Sequence, residues 1–191
     1  HGTSEGDEAK FNLVGPDLTV SQWAALVKPL PGRVVFIDTA SGSFPFLARI
    51  AGPGRVVLTA TDSAAQQFET KFPEFFVKAF DDPGADEDRN GKVSIWEAFS
   101  YASAGVRGWY QQNGQLATER PLLDDTGSGI GREAQSPGLD GAIAHVTYLQ
   151  PDAPIRAPAN SELAVLLKRR AELESELELL KARKPNLSTD E

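Results

Sequence analysis

Two short apolar runs stand out in the first third of the chain, Val34-Val35-Phe36-Ile37 and Val56-Val57-Leu58. Each follows Pro-Gly punctuation, Pro31-Gly32 before the first and Pro53-Gly54 before the second. Runs without polar alternation predict strands covered on both faces, as in a parallel sheet. Ahead of the first run, Thr19 can cap a helix whose Val20, Trp23, Ala24 and Val27 share one stripe. Strand, helix and strand at this spacing predict a right-handed crossover and an α/β region over residues 1 to about 62.

An aromatic cluster follows: Phe68, Phe72, Phe75, Phe76 and Phe80. It is expected to pack in a core, partly from a helix over Pro73 to Phe80 with the proline in its first turn. Residues 81–97 are acidic and loop-like. Residues 95–112 predict an amphipathic helix, since Ile95, Trp96, Phe99, Ala102, Val106 and Trp109/Tyr110 recur at helical intervals. Residues 113–141, rich in Gly, Asp and Ser, are expected to be mostly loop, and 142–149 a final strand. Residues 150–160 carry Pro151, Pro154 and Pro158 and read as a stiff linker. Beyond it, Leu163, Leu166, Arg170, Leu173, Leu177 and Leu180 alternate at steps of three and four. That spacing predicts a coiled-coil-like helix over 161–184, with one basic break at Arg170 and self-association as one use. The alternative use is packing on its own globular part. The tail, 185–191, is expected to be disordered.

Composition narrows the chemistry. The 191 residues, 40% hydrophobic and 24% charged, suit one globular domain, here 1–149, with an appendage. No run of about 18 apolar residues exists, so no membrane span is expected. A net charge of −8 argues against nucleic-acid and anionic-membrane partners. Cysteine is absent, which excludes disulfides, thiolate metal sites and a thiol nucleophile in the chain as written. The two histidines, His1 and His145, leave little scope for a His-rich metal site. The chain opens on His1-Gly2-Thr3 and contains no Met, as a processed chain or a fragment would.

The most specific local motif is Asp-Glu-Asp-Arg-Asn-Gly-Lys-Val-Ser-Ile-Trp-Glu over 86–97. An EF-hand-type calcium loop wants oxygen ligands at positions 1, 3, 5, 7, 9 and 12 and glycine at 6. Here these are Asp86, Asp88, Asn90, the Lys92 carbonyl, Ser94 and Glu97, with Gly91 at the bend and Val93 as the apolar anchor. A hard dication needs six to eight oxygens at about 2.3–2.6 Å, and only a tightly wound loop makes them converge. Asp82-Pro83-Gly84 interrupts the approach, so the entering helix is expected to be displaced. A lone loop with three carboxylates predicts Ca2+ affinity of roughly micromolar to millimolar and a structural rather than a switching role. The competing reading is a solvated acidic loop. Residues 124–131, Asp-Asp-Thr-Gly-Ser-Gly-Ile-Gly, are better read as a Gly-rich turn than as a second cation loop.

The order of these elements resembles the caspase-like peptidases, and among them the bacterial legumain-type members. The residues that carry the resemblance are His1-Gly2, the strand ending Phe36-Ile37-Asp38-Thr39-Ala40-Ser41-Gly42-Ser43, the segment Gly52-Pro53-Gly54-Arg55-Val56-Val57 and the calcium-loop-like stretch. It covers roughly residues 1–149. It implies an α/β fold with a caspase-like, mostly parallel sheet flanked by helices, whose first strands would precede His1, and with His-Gly at the end of a strand. The calcium loop and the C-terminal helical extension complete that expectation. An extracytoplasmic bacterial setting is also implied.

Carried over, His1 matches the general base, and Gly2 the glycine whose amide would help stabilise an oxyanion. Ala40 falls where the family's nucleophilic Cys stands. A methyl group can neither ionise nor attack a carbonyl. Two explanations stay open, a natural relative that lost its nucleophile and now binds a peptide or protein partner, or an active cysteine endopeptidase whose Cys was replaced by Ala. A third reading, a scaffolding module working through its C-terminal helix, belongs to another class. Ser41 and Ser43 are displaced from the nucleophile position and suit turn hydrogen bonding. Asp38 stands near the family's substrate pocket or caps a turn, and Asp62 lies at the carboxyl end of its strand. His145 is expected as an ordinary residue of the last strand.

Overall fold

The computed structural model describes residues 2–5 and 8–149, together with positions 165, 166, 169, 173, 176, 177 and 180, all seven helical. His1 and the expectations for 150–160 and 185–191 lie outside the described residues.

The architecture is α/β, with two three-stranded sheets and, within 2–149, four α-helices. The first sheet is antiparallel and ordered β1 (Gly2–Glu5), β2 (Glu8–Phe11) and β3 (Leu18–Thr19). Helix α1 (Val20–Val27) starts at Thr19, whose hydroxyl accepts from the Gln22 amide while the Gln22 side chain accepts from the Thr19 amide. This reciprocal cap satisfies two otherwise orphaned donors. The second sheet is ordered β4 (Val34–Asp38), β5 (Arg55–Thr59) and β6 (Leu122–Asp124). β4 and β5 run parallel in the register Val34↔Arg55 to Asp38↔Thr59. Helix α2 (Phe44–Ile50) forms the crossover between them.

The two apolar strands are covered on both faces, as their lack of alternation predicts. Val56 and Leu58 pack on one side with α3 (Phe72–Ala79) and α4 (Ile95–Gln112), among Phe72, Phe76, Phe99 and Val106. Val57 packs on the other side with Val20, Val27, Phe46, Leu47 and Ile50. β6 splits its leucines the same way, Leu123 to the first cluster and Leu122 to the second. Burial of each such side chain contributes about 1.5–3 kcal/mol. α4 keeps the predicted bounds, capped by Ser94, and α3 carries Pro73 in its first turn. Among the described residues no helix is long and apolar enough to cross a membrane.

Several expectations need correction. The sheet is mixed rather than mostly parallel, because β6 returns antiparallel to β5 after the long α4. Gly2 opens a strand instead of ending one. Residues 142–149 do not form a strand. Ala144–Val146 is a 3-10 turn, because the Asp125 carboxylate draws in the Gly141, Ile143 and Ala144 amides and curls the backbone. His145 therefore sits in that turn, its ring 4.9 Å from the Trp96 ring. Phe68 is 68% exposed and lies outside the aromatic core.

Candidate functional site

Two places gather the residues singled out by sequence. The first is the turn after β4. Buried Asp38 closes the strand, and one carboxylate oxygen accepts from the Ala40 amide at 2.9 Å. The Thr39 carbonyl accepts from the Thr70 hydroxyl at 2.6 Å, and the Ser41 carbonyl from the Thr61 hydroxyl at 3.0 Å. Buried Ser43 accepts the Ala60 and Thr61 amides on its hydroxyl oxygen. Its proton then goes to Thr61 Oγ1, 3.0 Å away. Both serines thus serve the turn: the Ser41 hydroxyl donates to the Gly2 carbonyl at 3.2 Å.

That bond joins β1 to the turn. A Cβ placed on Gly2 would stand 3.0 Å from the Ala40 methyl, and one placed on Gly42 3.1 Å from the Gly2 and Thr3 backbone. Backbone meets backbone here because neither glycine has a side chain. Gly2 and Ala40, 38 positions apart in sequence, are therefore neighbours at the carboxyl end of β4, with His1 the residue preceding Gly2. Beneath them, the second oxygen of Asp38 is buried without a hydrogen-bond partner. Burial pushes its carboxyl up to about 7, against the pull of the Ala40 amide. Asp62 is not part of this site. It makes a long 3.9 Å surface pair with Arg120, a contact of little energetic weight.

The second place is the acidic loop. After α3, a 3-10 turn (Pro83–Ala85) leads into the loop and α4 leads out. The Tyr101 hydroxyl donates to Asp82 at 2.6 Å and holds that carboxyl below its ordinary range. Gly91 takes φ +83° and Arg89 φ +57°, which winds the loop. The Asp86 carboxylate accepts from the Asn90 and Gly91 amides, and the Asn90 side chain donates to Asp88. Val93 is buried in the core below.

One carboxylate oxygen each from Asp86, Asp88 and Glu97 lies within 4.8 Å of the others. Like charges so close repel by about 1–3 kcal/mol per pair. A hard divalent cation relieves that repulsion, and oxygen is the donor type it prefers. The three carboxylates thus fit such an ion. Of the other predicted ligands, Asn90 and Ser94 hold hydrogen bonds within the loop. The Asn90 side-chain oxygen accepts the Lys92 amide, and the Lys92 ammonium lies 5.4 Å over the Tyr148 ring. Ser94, 1% exposed, shares a reciprocal cap with Glu97.

Residues 124–131 form the turn read from the sequence. Asp124 accepts the amides of Thr126, Gly127, Ser128 and Gly129, so its charge is held by its own loop. Two buried acids carry structure that no local pattern marks. Glu119 accepts the Lys71 and Phe72 amides at the start of α3, and burial raises its carboxyl. Asp125 holds the 141–144 turn. Each is recognised only once distant segments meet.

No family model matches this chain, and comparison with curated proteins and with solved structures yields no match.

Proposed function

We propose that residues 1–149 are a caspase/legumain-like peptidase homologue that binds an extended peptide or protein segment without cleaving it. The observation that carries this reading is the contact of Gly2 with Ala40 at the carboxyl end of β4. In a thiol peptidase of this type that end of the sheet holds base, oxyanion donor and nucleophile. Here His1 would supply the base, Gly2 the amide donor and Ala40 the nucleophile's position. A methyl at position 40 leaves no atom able to form an acyl intermediate. Asp38, buried below the turn, holds the Ala40 amide and so fixes the backbone at that end of the strand.

The loop over 86–97 is proposed as an EF-hand-like Ca2+ site in the same domain. Asp86, Asp88 and Glu97 would contribute charged ligands, with Asn90, the Lys92 carbonyl and Ser94 recruited on binding. Its convergent carboxylates at the start of α4 support this role. The ion would fix the loop against α4 and take no part in chemistry.

Peptide libraries offered to the native chain and to Ala40→Cys test the reading. Binding by the native chain with no turnover is the expected result. Turnover by Ala40→Cys would favour the alternative, an active cysteine endopeptidase carrying an alanine substitution. Absence of any peptide binding would remove the proposal. Calorimetric titration with Ca2+ tests the loop separately.

A further inference from the structure

The C-terminal helix carries an apolar seam that the rest of the described chain leaves uncovered. Positions 165, 166, 169, 173, 176, 177 and 180 are helical. Leu166, Leu173, Leu177 and Leu180 are 66%, 48%, 52% and 57% exposed. In the sequence their spacing continues that of Leu163 and Arg170, the six recurring at steps of three and four. Leucines repeated at steps of three and four, and this exposed, need a partner surface of the same kind.

We propose that this partner is the same helix of a second copy of the chain, paired antiparallel. The charge order along the helix selects both the partner and the direction. Lys168-Arg169-Arg170 is a basic run, and Glu172, Glu174, Glu176 and Glu178 make the stretch that follows it acidic. Antiparallel pairing centred on the seam sets Leu163 opposite Leu180, Leu166 opposite Leu177 and Arg170 opposite Leu173. Residues 165–171 of one copy then lie along 172–178 of the other. Basic run meets acidic stretch twice, related by a two-fold axis, as a closed self-complementary interface requires. A parallel, in-register pair would stack Arg170 on Arg170 inside the seam and lay each charge block beside its like. Opposite charge across a helix pair sets orientation, and like charge opposes it. The inference stands apart from the peptide-binding reading and survives its failure.

Light scattering on the full chain across a dilution series tests the pairing. A mass twice the 20.6 kDa of one chain is expected. Leu173→Lys with Leu177→Lys should reduce it to the single-chain value while the thermal transition of the globular part stays in place. The absence of cysteine makes direction easy to read. A mixture of Leu163→Cys and Leu180→Cys chains should oxidise to a covalent dimer, and neither variant alone should. A native chain that stays monomeric, a dimer indifferent to the two lysines, a larger assembly, or single-cysteine variants that cross-link alone as readily as the mixture would each overturn the proposal.

Discussion

Replacing Glu97 by Gln changes one atom type and perturbs both halves of the acidic-loop account. Glu97 is 4% exposed. One oxygen accepts the Glu87 and Asp88 amides at 2.9 and 3.3 Å, and the other accepts the Ser94 amide and hydroxyl at 2.8 and 2.7 Å. A glutamine can accept on one side only. Turned either way, its NH2 group faces at least one amide donor, and the charge that strengthened all four bonds is gone. A buried donor left without an acceptor costs about 1–3 kcal/mol, and losing charge-assisted bonds adds to that. The sum, about 2–4 kcal/mol, should lower Tm by roughly 5–15 °C in a domain of this size. Differential scanning calorimetry with and without Ca2+ is the assay. The native chain should gain Tm as Ca2+ rises, because an ion that binds only the folded form stabilises it, and Glu97→Gln should gain almost none. A variant that melts with the native chain would refute the hydrogen-bond argument, and equal Ca2+ gains in both would refute the ligand assignment.

Three further outcomes follow from buried contacts. Asp38 has its folded-state pKa raised by burial from the ordinary 3.8 to about 7, so its contribution to stability is full below about pH 4 and is lost as pH rises toward 7. Asp38→Asn should flatten that fall, worth up to about 4 kcal/mol, and urea unfolding of both proteins at a series of pH values measures the difference. Asp125→Ala should cost about 2–4 kcal/mol, since two buried amides and a partly buried one lose their acceptor. Hydrogen exchange should show residues 141–149 exposed first. Gly42→Ala should cost about 1–3 kcal/mol by pushing a methyl against the Gly2–Thr3 backbone, read from the shift in denaturant midpoint.

Local sequence makes some elements legible and hides others. The runs at 34–37 and 56–58 announce two-sided burial because every position is apolar, and helices do cover both faces. Thr19 with Gln22 and Ser94 with Glu97 carry their helix starts in four residues each. By contrast, β6 is three residues inside a polar stretch, and its signal is the pairing with β5 across more than sixty positions. Residues 142–149 alternate like a strand, but Asp125, a residue on another segment, curls them into a turn. The helix Phe44–Ile50 has its apolar spacing at Phe46, Leu47 and Ile50 and a proline in the first turn. Ser41-Gly42-Ser43 just before it reads as a turn and obscures that short pattern. For the sites, the acidic loop is visible because its acidic residues are contiguous. The meeting of Gly2 with Ala40 is implied only by the resemblance, and its supporting residues Ser43, Thr61 and Thr70 are assembled only by the fold.

The ionisation of a thiol placed at position 40 tests the central claim most directly. In Ala40→Cys, the proposed pairing with His1 would favour the thiolate, so the rate of iodoacetamide alkylation against pH should give an apparent pKa well below the ordinary value of about 8.5. His1→Ala in the same background should return it to that ordinary value. A thiol at position 40 that titrates like a free cysteine whether or not His1 is present would contradict the account.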